Sequence, residues 1–272
     1  MARSSGIGGE GTGASSLWGR LGVVLPLPRL AAATEKARRL VDPVLAVVFP
    51  SACPVCARAL AHPTRGPLCD ACWDALPRHR GRLCGCGLPL PPALLLCGRC
   101  RRGRQPFTAG LSLGPYEGAL RTVIHELKYR GKRRVAKRLA AALLAQPGAE
   151  DLLRGSDVLV PVPLHPRRRR ERGFNQAEVV AEELARRVGR PCATGALVRR
   201  KDTTPQAGLS AAERRRNVAG AFAVRRRPLV AGRVVALVDD VLTTGATAQA
   251  CARALLAAGA SEVRLLAVAR VS

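Results

Sequence analysis

The stretch VVALVDDVLTTGATAQA, residues 234–250, joins an apolar run to a helical pattern through two adjacent carboxylates and a loop of Thr and Gly. The apolar run 233–238 predicts a buried strand, and residues 247–258, followed by Gly259, predict a helix. The loop 241–247 therefore follows a strand and precedes a helix. In open α/β sheets, ligands bind beyond the carboxyl ends of the strands, so this junction is the first candidate for a binding site.

Residues 107–272 continue this alternation of short apolar runs and helical patterns. Asn175 with Glu178 resembles a capping box that opens a helix to about Val188, and Ser210 with Glu213 is a second such signal. The predicted strands cover residues 107–116, 157–163, 195–200, 220–224, 233–238 and 262–269. The first of them, 107–116, would form an edge strand. Two further helices are predicted over 117–129 and 132–146. The alternation predicts an α/β domain with a parallel sheet covered on both faces by helices.

The loop after the strand 233–238 has the composition of an anion site. The first N–H groups of a helix have no partner within the helix and point outward, which suits a phosphate monoester. Threonine hydroxyls add donors, and Gly245 allows the backbone to approach a phosphate closely. The candidate residues of this site are Asp239, Asp240, Thr243, Thr244, Gly245, Ala246 and Thr247.

Asp239 and Asp240 would contact a different part of the same ligand, because two carboxylates that faced the phosphate would repel it. Carboxylates accept hydrogen bonds from sugar hydroxyls and also hold Mg²⁺, directly or through water. A phosphate beside vicinal hydroxyls describes a ribose 5-phosphate. The sequence lacks G-x-x-x-x-G-K-[ST], which disfavours a P-loop nucleotidase. The alternative is that the motif is purely structural, a capped strand–turn–helix that binds no ligand.

Eight of the ten cysteines lie between residues 53 and 100, in four close pairs. In a chain without a convincing export signal, such pairs favour zinc sites over a disulfide cluster, which is the alternative. The pairs are Cys53 and Cys56, Cys69 and Cys72, Cys84 and Cys86, and Cys97 and Cys100. The simplest pairing predicts one zinc ion on the first four thiols and a second on the last four, although a crossed arrangement stays open. The spacing of Cys84-Gly-Cys86 is one residue short of a normal knuckle, so the sequence predicts one or two structural zinc ions.

The remaining features divide the chain into four parts. Residues 1–29 predict a disordered basic tail, and 30–50 predict a helix that packs onto the metal module. The Cys-rich zinc-ribbon module covers 51–103, and the α/β domain covers 107–272. Cys192 and Cys251 stand alone and are predicted to be buried apolar residues rather than nucleophiles.

The net charge of +26 comes almost entirely from arginine. Arginine pairs well with phosphate, so the charge suits a nucleic acid or another phosphate partner, but a composition bias of the whole proteome explains it equally well. The low aromatic content favours contact with phosphate over stacking on bases. No apolar stretch approaches the about 20 residues that cross a bilayer, and we expect a cytoplasmic protein without a membrane span.

The segment LVDDVLTTGAT (237–247) resembles the phosphoribosyl-pyrophosphate (PRPP) signature of type I phosphoribosyltransferases. Three further segments occur in the order typical of the ComF/GntX family, which the chain resembles over residues 50–272. They are IHELKYRGK (124–132), PVPLHPRRRRERGFNQA (161–177) and DTTPQAGLSAAERRRNVAGAF (202–222). The chain departs from the family at Cys84-Gly-Cys86, where C-x-x-C-G is usual, and in its Arg-rich extended N-terminus.

The resemblance implies a role for each motif. Asp239 and Asp240 would contact the ribose hydroxyls of PRPP, and the loop Thr243 to Thr247 would wrap its 5-phosphate. Segment 162–175 would be the pyrophosphate-side loop, and 202–217 would be a mobile loop that closes over the substrate. In the pyrophosphate-side loop the implied contacts are Arg172, Gly173 and Asn175. In the mobile loop they are Gln206, Ser210 and Arg214. Lys128 and Tyr129 would line the pocket.

Two functions follow from the resemblance, and the sequence leaves both open. If the chain is an enzyme, it would transfer phosphoribosyl from PRPP, with Mg²⁺ and arginine stabilising the departing pyrophosphate, to an unknown acceptor. The alternative is a non-catalytic component of DNA uptake in natural transformation. In that case, the zinc module and the Arg-rich surface would bind single-stranded DNA or DNA-uptake proteins.

Overall fold

The computed structural model describes residues 41–43, 46–48, 51–79, 81–103, 105–130, 133–201 and 211–271. The predicted tail 1–29 lies outside these residues. So does most of the predicted helix 30–50, of which 41–43 and 46–48 are described and are helical. None of the helices in the described ranges combines the length and the apolarity that crossing a bilayer requires.

The secondary structure of the described residues follows the predicted alternation after residue 107. The strands are β1 (Ala109–Pro115), β2 (Val158–Pro161), β3 (Leu197–Arg199), β4 (Phe222–Val224), β5 (Val234–Leu242) and β6 (Glu262–Arg270). The helices are α1 (Asp70–Asp74), α2 (Gly98–Arg101), α3 (Gly118–Arg130), α4 (Arg133–Leu144), α5 (Ala149–Arg154), α6 (Pro166–Arg172), α7 (Gln176–Val188), α8 (Ala211–Val218) and α9 (Ala246–Ala257). Short 3₁₀ turns cover Pro63–Arg65 and Arg227–Leu229.

The central sheet has four parallel strands in the order β1-β6-β5-β2. Successive residues of β5 enter opposite cores: Val235 and Leu237 pack with α9, whereas Ala236 and Val238 pack on the side of α4 and α7. Because both faces are covered, the strands are near-continuous apolar runs, as parallel strands usually are. The prediction of a parallel α/β sheet is confirmed.

Strands β3 and β4 do not join the central sheet. They pair with each other as an antiparallel ribbon, with Leu197 opposite Val224 and Arg199 opposite Phe222. Each has only three residues, and only the first residue of each is buried. Strands that are only partly buried suit an antiparallel ribbon better than the doubly covered interior of a parallel sheet.

Strand β5 is longer than predicted and changes the place of the two carboxylates. Pairing with β6 continues past residue 238, with Asp239 opposite Ala267 and Leu242 opposite Arg270. Asp239 and Asp240 therefore lie within the strand, and the loop before α9 is only Thr243–Gly245. The prediction of a loop over 241–247 was wrong because polar side chains do not end a strand whose backbone still finds a ladder partner.

The basic run after β2 is also more ordered than predicted. Residues 166–172 form α6, in which Pro166 takes the first helical turn and Arg167 pairs with Glu171 at 3.2 Å. Proline is well suited to that position because its missing N–H would have no helical partner there. Gly173 ends α6 with a φ of 76°, in the left-handed region that favours glycine.

The Cys-rich module packs against the outer edge of β1. The N–H of His79 donates to the carbonyl oxygen of Leu113 at 3.1 Å. A Cβ on Gly114 would lie 1.9 Å from the carbonyl oxygen of Pro77, and a Cβ on Gly110 would lie 2.6 Å from the carbonyl carbon of Cys86. These glycines allow backbone to approach backbone, and the module thereby covers a strand edge that would otherwise be exposed.

Candidate functional site

A cavity of about 330 Å³ lies at the carboxyl ends of β5 and β2. Its walls come from β5, the loop to α9, the end of α3, and the segment from β2 to α7. Predicted site residues that line it are Lys128, Arg172, Asn175, Asp239, Asp240, Thr243, Gly245 and Thr247. The structure thus brings together residues from three separate sequence motifs around one cavity.

The two carboxylates differ sharply in environment. Asp239 is only 7% exposed, and burial followed by the charge of Asp240 raises its pKa well above the ordinary range. Its Oδ1 accepts the N–H of Asp240 at 2.9 Å, and Asp240 Oδ1 accepts the N–H of Val241 at 2.9 Å. The raised pKa follows from burial, because a low-dielectric site disfavours the charged carboxylate.

Asp240 is paired instead with a cation from α3. Lys128 Nζ lies 3.0 Å from Asp240 Oδ2, and the two side chains are 20% and 19% exposed. Burial alone would lower the pKa of Lys128, but the carboxylate of Asp240 outweighs it, so the pKa is raised and the ammonium stays charged. The Lys128 Nζ also lies 5.9 Å from the ring centroid of Tyr116, at the end of β1.

The Thr-Gly loop turns sharply into α9. Gly245 has a φ of 74° and precedes the first helical residue, Ala246. Thr243, Gly245 and Thr247 line the cavity, whereas Thr244 and Ala246 do not. Thr244 makes two other contacts: its Oγ1 accepts the N–H of Ala246 at 3.4 Å, and its carbonyl oxygen accepts from Arg99 of the Cys-rich module at 2.8 Å.

The segment between α6 and α7 forms the opposite wall. Asn175 is the N-cap of α7: its Oδ1 accepts the N–H of Ala177 at 3.2 Å, and its Nδ2 donates to the carbonyl of Val162 at 2.9 Å. The cap is confirmed, while Glu178, the predicted second half of the capping box, pairs with Arg169 at 2.9 Å. Gly173 shapes the turn but does not line the cavity.

Four polar lining residues were not among the predicted site residues: Tyr116, Arg168, Gln176 and Arg199. Tyr116 is the last residue of the predicted strand 107–116, so the strand-end argument could have found it. Gln176 is 1% exposed, and its Nε2 has no hydrogen-bond partner among the described residues, although Arg172 Nη1 donates to its Oε1 at 3.4 Å. A buried amide donor without a partner is costly, which indicates that a ligand or a water binds it.

Other predicted residues cannot be placed in the same way. Gln206 and Ser210 lie outside the described residues. Arg214 lies in α8 and Tyr129 in α3, but their side chains are also outside the description. Their roles in a mobile loop and in the pocket stay predictions.

The Cys-rich module contains two clusters of four thiols, with all Sγ atoms of a cluster within 4.8 Å of one another. One cluster is Cys53, Cys56, Cys69 and Cys72, and the other is Cys84, Cys86, Cys97 and Cys100. The simplest pairing is confirmed, and the short Cys84-Gly-Cys86 turn still brings both thiols into its cluster. Four converging thiols with no other ligand type fit a closed, tetrahedral structural zinc site.

One thiol of each cluster has a lowered pKa, whereas burial raises the pKa of other thiols in both clusters. Burial alone would raise the pKa of Cys53 and Cys97, but neighbouring N–H groups outweigh it and lower these pKa values to about 6 and about 7. Thiolates are the form that binds zinc, so each cluster holds one sulfur that ionises near neutral pH. Cys192 and Cys251 are fully buried, and burial raises the pKa of both, as expected of inert core thiols.

Comparison with known proteins gives two domain matches. Residues 174–272 match the phosphoribosyl transferase domain, and residues 44–101 match the double zinc ribbon domain. The chain is 35% identical over 228 residues to DNA utilization protein YhgH of Salmonella typhimurium, a match that covers 82% of this chain and 99% of that one. It is 32% identical to competence protein F of Haemophilus influenzae, over 78% of this chain and 94% of that one. It is 28% identical to competence protein ComFC of Bacillus subtilis, over 71% and 79%.

Proposed function

Because the chain belongs to the ComF/GntX family of double-zinc-ribbon proteins with a phosphoribosyltransferase domain, we propose that its cavity binds PRPP or a related ribose 5-phosphate. The observation that carries the proposal is the convergence at the end of β5. There, two carboxylates, a charged lysine, an arginine and a threonine–glycine turn line one cavity of about 330 Å³. A phosphorylated sugar is the ligand that uses all of these groups.

The 5-phosphate would bind at the start of α9. This helix has 12 residues, and its first N–H groups have no helical acceptor. Gly245 lines the cavity there and presents no side chain, so the phosphate can reach the backbone. The side chains of Thr243 and Thr247 lie in the same wall and would add hydroxyl donors.

The ribose hydroxyls would bind to Asp239 and Asp240. The Lys128 ammonium already balances the charge of Asp240, so the cavity tolerates a polyanionic ligand near that carboxylate. Burial raises the pKa of Asp239, so a hydrogen bond from a ribose hydroxyl or a nearby cation would stabilise its charged form.

The diphosphate would lie toward α6 and α7. Arg168 and Arg172 line that wall, and arginine forms bidentate pairs with phosphate oxygens. The unpartnered Nε2 of Gln176 would add a neutral donor. A Mg²⁺ ion bound with PRPP would neutralise charge that develops on pyrophosphate as it leaves, and the carboxylate oxygens of Asp239 and Asp240 are suitable ligands for it.

The proposed reaction is transfer of the phosphoribosyl group to an acceptor. The bond between C1 and the pyrophosphate oxygen breaks, a cation-like sugar carbon forms, and the acceptor's nucleophile bonds to C1. The protein would hold the two phosphate ends, keep water away and stabilise the charge that moves onto pyrophosphate.

A second function, binding of single-stranded DNA, is favoured by a separate observation. The relatives are named for DNA utilization and competence, and the Cys-rich module exposes several arginines. Those exposed in this module include Arg58, Arg82 and Arg102. Arginines on a rigid, metal-bound surface would contact phosphates of a DNA strand without reading its bases.

Ligand titration separates the two functions. We expect PRPP with Mg²⁺ to raise the melting temperature of the wild type, since a ligand that binds only the folded state stabilises it. Asp240→Asn should remove this shift, and Asp151→Asn, a change at an exposed carboxylate of α5, should keep it. Absence of a shift in the wild type would refute PRPP binding. Pyrophosphate release in the presence of candidate acceptors then tests transfer.

Binding of single-stranded DNA is measured in the same variants. It should survive Asp240→Asn and weaken with rising salt in proportion to the number of phosphate contacts. Joint removal of the charges at Arg58, Arg82 and Arg102 should reduce that salt dependence. A DNA affinity that is unchanged by these three substitutions would refute a nucleic-acid role of the zinc module.

A further inference from the structure

Arg99 connects the second cysteine cluster to the wall of the sugar-phosphate cavity. It lies in α2, between the cluster residues Cys97 and Cys100, and is half-buried. Its Nη1 donates to the carbonyl oxygen of Thr244 at 2.8 Å, across 145 residues of sequence. Thr244 belongs to the turn Thr243–Gly245 that precedes α9, so the zinc module touches the candidate phosphate loop directly.

The bonded carbonyl determines the direction of a neighbouring donor. The peptide between Thr244 and Gly245 is planar and trans, so its N–H points opposite to its C=O. By holding the Thr244 oxygen, Arg99 fixes the orientation of the Gly245 N–H in a turn where Gly245 has a φ of 74°. Gly245 itself lines the cavity.

A second contact connects the same cluster to the strand end. Arg270, the last residue of β6 and 7% exposed, donates from Nη1 to the carbonyl of Cys86 at 3.4 Å. Arg270 is the register partner of Leu242, the residue before the turn. The second cluster therefore contacts the turn through Arg99 and the neighbouring strand β6 through Arg270.

The position of Arg99 depends on the cluster that surrounds it. Helix α2 has only four residues, and its N-cap is the Sγ of Cys97, which accepts the N–H of Cys100 at 3.4 Å. So short a helix is unstable by itself in water. Metal bound to the four thiols would hold α2, and with it the guanidinium, in place.

We propose that Arg99 is a positioning residue for the phosphate loop, and that zinc at the second cluster thereby strengthens ligand binding in the cavity. The proposal rests on the ribose 5-phosphate ligand proposed above. Coupling between two sites is reciprocal, so a ligand in the cavity should also slow the loss of zinc from the second cluster. The first cluster makes no such contact with the turn among the described residues.

The first test uses Arg99→Ala, Arg99→Lys and, as a matched control on the same helix, Arg101→Ala. Ribose 5-phosphate reports on the phosphate loop, and pyrophosphate with Mg²⁺ reports on the opposite wall. We expect Arg99→Ala to bind ribose 5-phosphate about 10-fold more weakly, as the loss of one charged hydrogen bond implies. It should bind pyrophosphate as the wild type does, and retain its zinc. Arg99→Lys should recover part of the loss, and Arg101→Ala should show none. Unchanged ribose 5-phosphate affinity in Arg99→Ala overturns the proposal.

Two further measurements distinguish a failure of the positioning role from a failure of the proposed ligand. If the wild type binds neither PRPP nor ribose 5-phosphate, the proposed ligand is wrong, but amide exchange at residues 243–247 in ligand-free protein still tests the positioning role. Faster exchange in Arg99→Ala than in Arg101→Ala supports it, and equal exchange overturns it.

In the wild-type holoprotein, PRPP should slow the chelator-induced release of one of the two zinc ions. Equal release rates of both ions with and without PRPP overturn the coupling.

Discussion

Lys128 and Asp240 form a 3.0 Å ion pair that joins the end of α3 to the end of β5 in the wall of the cavity. The two residues belong to separate sequence motifs, and each side chain is about four-fifths buried. The pair places one positive charge beside the carboxylate that would contact the ribose. It therefore both stabilises the strand end and reduces the repulsion of an anionic ligand.

Removal of either partner should cost stability as well as affinity. Lys128→Met leaves the Asp240 carboxylate partly buried without its cation, and we expect about 1.5–3 kcal/mol lower free energy of unfolding. PRPP affinity should fall in the same variant. A double-mutant cycle with Asp240→Asn, measured by urea unfolding, isolates the pair itself. Additive effects of the two changes would show that the ion pair contributes nothing.

Asp239→Asn should have the opposite effect on stability. The folded state raises the pKa of Asp239 above its unfolded value of about 3.9, so the folded state binds the proton more tightly. Its stabilising contribution is fully present below the unfolded pKa and is lost as the pH rises through the folded pKa. Asparagine keeps an oxygen acceptor for the Asp240 N–H and has no charge to bury.

The stability difference between Asp239→Asn and the wild type should therefore grow from pH 4 to pH 8, with the variant more stable at pH 8. Urea unfolding at several pH values measures it, and PRPP binding should be lost in the same variant. Asp240→Asn is the matched control, since its cation pairing predicts a loss of stability. A variant that is less stable than the wild type at pH 8 would contradict the prediction.

Gly245→Ala tests the turn before α9. The φ of 74° strains any residue with a Cβ, although the added atom would meet only Gln249 Nε2 at 3.7 Å. We expect a loss of about 1–2 kcal/mol in the free energy of unfolding and weaker binding of ribose 5-phosphate. Gly232→Ala is the control, because Gly232 has a φ of 70° with open space around it and does not line the cavity. It should lose similar stability and keep full affinity; equal loss of affinity in both variants would argue against a phosphate at Gly245.

Native mass spectrometry should find two zinc ions per chain. Trp73 follows Cys72, is 5% exposed and lies under the guanidinium of Arg138 at 4.4 Å, so its fluorescence should report on the first cluster. Removal of zinc by a chelator should shift that emission to longer wavelength as the indole becomes hydrated, in a Trp18→Phe background. Four disulfides in place of two metal ions would refute the zinc assignment.

The sequence determined the parts of this protein that depend on local pattern. Apolar runs predicted the strands of the central sheet, and Asn175 predicted the start of α7. The spacing of the cysteines predicted both clusters, because ligands close in sequence reach the same ion without any knowledge of the fold. The segment 237–247 placed the candidate site at the end of β5 for the same reason, since a strand, a turn and a helix lie within one short stretch.

Tertiary structure alone decided the relations between distant segments. The ladder with β6 carries β5 through Asp240, and the ribbon β3–β4 leaves the main sheet and brings Arg199 to the cavity. Neither the pairing of Lys128 with Asp240 nor the contact of Arg99 with Thr244 has a local signal. Such contacts depend on how packed layers bring far parts of the chain together, and a periodic pattern of side chains specifies which face is buried but not which partner lies against it.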